Sequence, residues 1–116
     1  MSQLAELVLY SRIDKIDYFK ITQNITVYNV PELIESLSKY EDSSLNKVVF
    51  DFESVRFIDS SGLGFILRYL LKKNKFPKHT KFIMVNQTIL HLFQISGAYE
   101  KFHIYPTLRE ALESSW

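Results

Sequence analysis

At 116 residues, with a hydrophobic fraction of 47% and an aromatic fraction of 15%, the chain holds enough apolar material for one packed domain and is too short for two. Fourteen Lys+Arg against 13 Asp+Glu leave a net charge of +1, which argues against general attraction to nucleic acid or to an anionic membrane. The absence of cysteine removes disulfides, thiolate catalysis, thiolate zinc sites and iron–sulfur clusters together.

No apolar run exceeds four residues, as in Leu7–Tyr10 and Phe82–Val85. A membrane span needs about 20 and a signal-peptide core about 7–15, so the sequence reads as a soluble, unexported, cytoplasmic protein with no membrane insertion. Residues 7–13 (LVLYSRI) and 17–22 (DYFKIT) carry β-branched and aromatic residues in partial alternation around the turn-like Asp14-Lys15, which predicts a hairpin. Pro31 suits a first helical turn, and Leu33, Ile34 and Leu37 recur at helical spacing as far as Tyr40.

Lys47 to Phe52 (KVVFDF) is a compact β-rich run of the type buried on both faces, and it leads into the turn Asp59-Ser60-Ser61-Gly62. In the helix that follows, Leu63, Ile66, Leu67, Leu70 and Leu71 form the expected core stripe, leaving Phe65, Arg68, Tyr69 and Lys72 on an outer face. Lys81 to Val85 is the next strand. Asn86 is placed to cap a helix carrying Leu90 and Phe93, and Gly97 to close it. His103 to Tyr105 gives a last short strand, and Thr107-Leu108-Arg109-Glu110 fits a capping box opening a helix through Leu112. The order ββαβαβαβα predicts a single α/β domain over residues 1–116, its core about residues 5–113. About five strands form a mixed, mostly parallel sheet with about four helices, the first hairpin strand running antiparallel at an edge.

Ser60 falls where a strand hands over to a helix, beside unpaired amides that tolerate an anion. Asp59 or Ser60 could equally be a plain helix cap with Gly62 easing the turn, and local chemistry leaves both readings open. The surrounding stretch VVFDFESVRFIDSSGLGFIL (Val48 to Leu67) resembles the signature of STAS domains, especially the bacterial anti-sigma-factor antagonists. Downstream, ILHLFQISGAYEKFHIYPTLREAL (Ile89 to Leu112) resembles the family's last helix pair and strand, so the likeness covers nearly the whole chain.

The resemblance implies a protein-interaction switch and no enzyme or cofactor. The first Ser of the turn, here Ser60, would be phosphorylated by an anti-sigma factor that is also a GHKL-type serine kinase. Unphosphorylated, the protein would bind that kinase and free a sigma factor; a PP2C-type phosphatase would restore it, and the chain would act as a monomer or weak dimer. Asp59, Ser61 and Gly62 would shape the turn. The expected docking surface joins residues 59–62, the 23–29 loop with Asn24 and Thr26, and the Phe65, Arg68, Tyr69 face. One departure stands out: the family's common Gly-x-Leu-Asp pattern appears as Gln23-Asn24-Ile25-Thr26, lacking both the Gly and the acid. A rival within the fold is a constitutive STAS subunit of a stressosome-like scaffold or lipid-transport complex.

Other signals carry less. Residues 60–99 hold Arg68, Lys72, Lys73, Lys75, Lys78 and Lys81 and no acid, whereas residues 1–59 hold 10 acids against 6 bases. The lysines read as a solvated loop around 72–81 and not as a nucleic-acid site. His79, His91 and His103 stand 12 apart without metal-ligand spacing, so no metal is expected. The Gly-x-Ser-x-Gly elbow of a hydrolase is absent. Asp51 and Glu53 read as two solvated acids at the mouth of the sheet, and Tyr99, Phe102 and Tyr105 as packing around the last strand.

Overall fold

Asp14 and Lys15 both take left-handed backbone angles, φ 48° and 69°, the conformation a two-residue hairpin turn needs to match the twist of its strands. They join β1 (Val8–Ile13) to β2 (Ile16–Ile21), paired antiparallel. The computed structural model describes residues 6–40, 47–70, 80–97 and 102–116. Along them follow α1 (Val30–Ser38), β3 (Val48–Asp51), α2 (Ser60–Phe65), β4 (Thr80–Ile83), α3 (Gln87–Ile95), β5 (Ile104–Tyr105) and α4 (Leu108–Glu113). Local signals set these boundaries. Pro31 sits in the first turn of α1, Asn86 accepts from the Ile89 amide at 2.9 Å, and Thr107 accepts from the Glu110 amide at 3.2 Å. Gly97, at φ 81°, follows the cap of α3 as an αL stop.

The sheet runs in sequence order, β1-β2-β3-β4-β5, with every pair after the first parallel. Strands added in one direction by crossovers of one hand lay their connecting helices on one face. Leu33 and Leu37 of α1, Phe65 of α2 with Ile66 just beyond it, and Ile89 and Phe93 of α3 accordingly share one core with Phe19, Phe50 and Phe82. On the opposite face α4 covers a smaller core through Ala111, against Ile16, Val49 and Ile83. A single rung, Tyr10, Phe19, Phe50, Phe82 and Ile104, crosses all five strands in register. Its aromatic members pack ring on ring at centroid distances of 5.1, 5.4 and 5.7 Å. Phe102 joins the same core, stacked on Phe93 at 4.1 Å.

Three expectations need correction. Phe65, expected on an outer face, is 3% exposed. Because α1 lies on the same side of the sheet, α2 is buried on two flanks, Ile66 toward the sheet and Phe65 toward α1, while Leu63 and Leu67 are only partly covered. The helix also widens into a π-turn over Ile66–Leu70, which shifts the residues beyond it off the 3.6-residue stripe. Lys81 is 3% exposed and not part of a solvated loop. Its ammonium donates to the Ala111 and Ser114 carbonyls at 2.8 and 3.3 Å and lies 3.9 Å from the Trp116 ring centroid, so α4 is fastened across β4 by a cation that carbonyls and rings satisfy. Asp51 is buried too: it accepts from the Tyr18 hydroxyl and, at 2.8 Å, from the Glu53 amide, while Glu53 turns outward to Lys20 at 2.9 Å. Lys72, Lys73, Lys75, Lys78, His79 and Tyr99 lie outside the described residues.

The aromatic rung makes a stability prediction. Phe82→Ala removes the central ring between Phe50, Phe93 and Phe102 and should cost about 3–5 kcal/mol in urea unfolding. Phe57→Ala, at a position 51% exposed, should change the midpoint little.

Candidate functional site

Parallel strands deliver their C-terminal ends to one rim, where the loops after β2 and β3 meet. Ile25 and Ile58 form a one-residue parallel bridge between those loops, with the Ile25 amide donating to the Phe57 carbonyl at 3.2 Å. The Asn24 side-chain oxygen accepts from the Arg56 and Phe57 amides at 2.8 and 3.0 Å. From the neighbouring loop, the Asn86 side chain donates to the Arg56 carbonyl at 3.1 Å, and Met84, in the left-handed region at φ 60°, makes the bend that brings Asn86 there. Residues far apart in sequence are thereby sewn into one surface.

Asp59 is the principal stitch. One carboxylate oxygen accepts from the Gly62 amide at 2.8 Å, which makes Asp59 the cap of α2 and settles the choice between it and Ser60. The other accepts from the Val27 amide at 2.9 Å, across 32 residues. These two amides, Val27 foremost, hold the carboxyl below its ordinary pKa. Gly62 meets a second constraint: a Cβ there would stand 2.2 Å from the Ile25 carbonyl oxygen, so the helix start can approach the β2–α1 loop only as glycine.

Ser60 opens α2 with its side chain exposed and its hydroxyl without a hydrogen-bond partner among the described residues. Ser61, half-buried, instead lines an open groove of about 390 Å³ between α1 and α2, together with Val27, Val30, Ile34, Phe65, Arg68 and Tyr69. Phe65 and Tyr69 stack at 5.5 Å along it, and Arg68 is exposed at its edge. The structure thus brings Ser60, Ser61, Gly62, Arg68 and Tyr69 to one region with the 23–29 loop, and puts Phe65 beneath that surface. Asn24 and Thr26 are largely engaged internally: Thr26 donates its amide to Asn29 at 2.9 Å and accepts from the Tyr28 amide at 3.3 Å. Sequence reading missed Tyr28 and Phe57, exposed at 89% and 51%. The signal available was an aromatic in each of two polar loops. Among the described residues no three metal-ligating side chains gather, and no helix is long and apolar enough to cross a membrane.

The STAS domain family model matches residues 9–111. The "Anti-sigma-B factor antagonist" of Staphylococcus aureus is 31% identical over 91 residues, covering 78% of this chain and 84% of that protein. An anti-sigma factor antagonist from Mycobacterium paratuberculosis superposes with a TM-score of 0.76 at 21% identity, covering 90% of this chain and 89% of its own. SpoIIAA, a Bacillus cell fate determinant, superposes at 0.69 in its unphosphorylated form and 0.62 in its phosphorylated form. Those two structures are 19% and 20% identical, cover 91% of this chain and are themselves covered to 93% and 96%.

Two measurements check the stitching. Gly62→Ala should lower stability by about 1–3 kcal/mol, because backbone must shift, whereas Gly64→Ala meets only the flexible head of Arg68 and should stay within about 1 kcal/mol of neutral. The Asp59 carboxyl is depressed in the folded state, so its clasp is complete above the ordinary carboxylate range and is lost only as pH falls through the folded value. The Val27 and Gly62 amide resonances should therefore hold steady from neutral pH down to the usual Asp value of 3.8 and move together below it.

Proposed function

The chain belongs to the STAS domain family, among the anti-sigma factor antagonists, and we propose that within it the protein is a switch written on Ser60. Unphosphorylated, it binds an anti-sigma factor that is also a GHKL-type serine kinase and so frees a sigma factor. Phosphorylated on Ser60, it is released, and a PP2C-type phosphatase returns it to the binding form. The chain is the substrate of both enzymes, and its own part is to bind.

One observation supports this above the others: the Ser60 hydroxyl is exposed and unengaged, while the turn that carries it is held by Asp59 and Gly62. A phosphate there finds water and the amide end of α2, an arrangement favourable by about 0.3–1 kcal/mol, and needs no hydrogen bond of the turn to break. Against a docked partner the same charge acts the other way. A like-charge contact at about 4 Å costs up to about 4 kcal/mol at an effective dielectric near 20, or roughly three decades of affinity. Release without unfolding follows from those two magnitudes. SpoIIAA, similar in fold, has been solved in both phosphorylation states.

The test is phosphopeptide mass spectrometry on protein isolated from its native cells. Phosphate should be present in wild type and Ser61→Ala, absent from Ser60→Ala, and removed by λ-phosphatase. A chain that carries no phosphate under any growth condition would overturn the switch and leave a constitutive STAS interaction subunit in its place.

A further inference from the structure

Among the described residues, the groove between α1 and α2 has a mainly apolar lining and one charge. Val27, Val30, Ile34, Phe65 and Tyr69 supply the walls, and among the described residues Arg68 is the single side chain of formal charge along it. Among the described residues no carboxylate lines the groove: the two oxygens of Asp59 are turned onto the Gly62 and Val27 amides, and Glu32 and Glu35, exposed on α1 beside Pro31 and Ile34, are not part of its lining. Arg68 forms no ion pair among the described residues. Its guanidinium is folded back along the helix into the space a side chain at position 64 would fill, 2.4 Å from where that Cβ would stand, so Gly64 lets the charge rest against the groove. Val27 and Ile34 remain 53% and 36% exposed, which leaves the mouth open to a partner's side chain.

From this we infer that the groove receives an apolar side chain of a partner protein whose flanking carboxylate pairs with Arg68; the occupant is an acidic, apolar segment and not a basic one. The inference rests on the switch reading for the partner's identity, but the chemistry of the groove is independent of whether Ser60 is modified. A charge lying over an apolar groove selects by sign, since the matched carboxylate gains a charge-assisted hydrogen bond and an opposed cation meets repulsion as well as desolvation. A groove of about 390 Å³ admits a few large side chains and not a folded domain, so the partner contributes a protruding segment.

The experiment titrates two probes into the isotope-labelled chain, a short Leu/Glu peptide and its Leu/Lys counterpart, following the amides of Val27, Ile34, Gly64 and Tyr69 by NMR. The Leu/Glu peptide should shift those amides and bind about tenfold more tightly than the Leu/Lys peptide, the swing expected when a weak attraction becomes a repulsion of similar size. Arg68→Gln, a change at an exposed helical position, should abolish that preference, and Arg109→Gln on α4 should leave it intact. Ile34→Glu, which offers Arg68 a carboxylate inside the groove, should likewise abolish the preference. Equal affinities, shifts confined to other surfaces, or a preference that survives Arg68→Gln would overturn the inference. Because neither peptide involves phosphate, a failure here leaves the Ser60 switch standing, and an unphosphorylated Ser60 in cells leaves this groove standing.

Discussion

One rung of side chains, Tyr10, Phe19, Phe50, Phe82 and Ile104, fixes the register of all five strands. A slip of one residue exchanges the two faces of a strand, and in β1 to β4 it would also withdraw a ring from the column. With register fixed, the point at which each parallel strand ends is fixed as well. Lys20 lies opposite Asp51 and Asp51 opposite Ile83, so the loops after β2, β3 and β4 leave the sheet level with one another. The rim on which Ser60 stands is a consequence of where the phenylalanines are.

Once the loops emerge side by side, short polar groups can join them. Asn24, Asp59 and Asn86 each reach across roughly thirty residues of sequence to a backbone group on another loop. Each bond closes an amide or carbonyl that water would otherwise have to satisfy, and together they turn three separate loops into one firm surface. Gly62 completes it by letting the start of α2 press against the Ile25 carbonyl. A surface of this kind holds its shape when a charge is added to its outside, the physical requirement for a mark that alters recognition and leaves the fold alone.

What could be read from the chain follows the range of the interactions involved. The hairpin at Asp14-Lys15, the caps at Asn86 and Thr107 and the stop at Gly97 act within a few residues, and each stands where the sequence puts it. The mixed sheet with its antiparallel edge strand was legible from element order. Phe65 was not, because its burial depends on α1 lying alongside α2, and the π-turn that follows leaves no sign in a helical periodicity. Lys81 reads as a surface lysine until α4 folds back across β4 and brings the Ala111 carbonyl and the Trp116 ring to it. At the site, a cap at Asp59 or Ser60 was legible, whereas the choice of Asp59 came from the structure, and its second bond, to Val27, is a product of the tertiary fold.

The exposure of Tyr28, Phe57 and Val27 has a colloidal side as well. Apolar groups gathered at one end of a molecule attract their like, and most small proteins keep copies apart by carrying several charges of one sign. This chain carries a net charge of +1 and has almost no such repulsion to offer. Its solubility in isolation therefore rests on the polar remainder of the surface, and raising the salt, which screens what little repulsion exists, favours self-association at high concentration. A rim with these side chains exposed sets a ceiling on how concentrated the free protein can be.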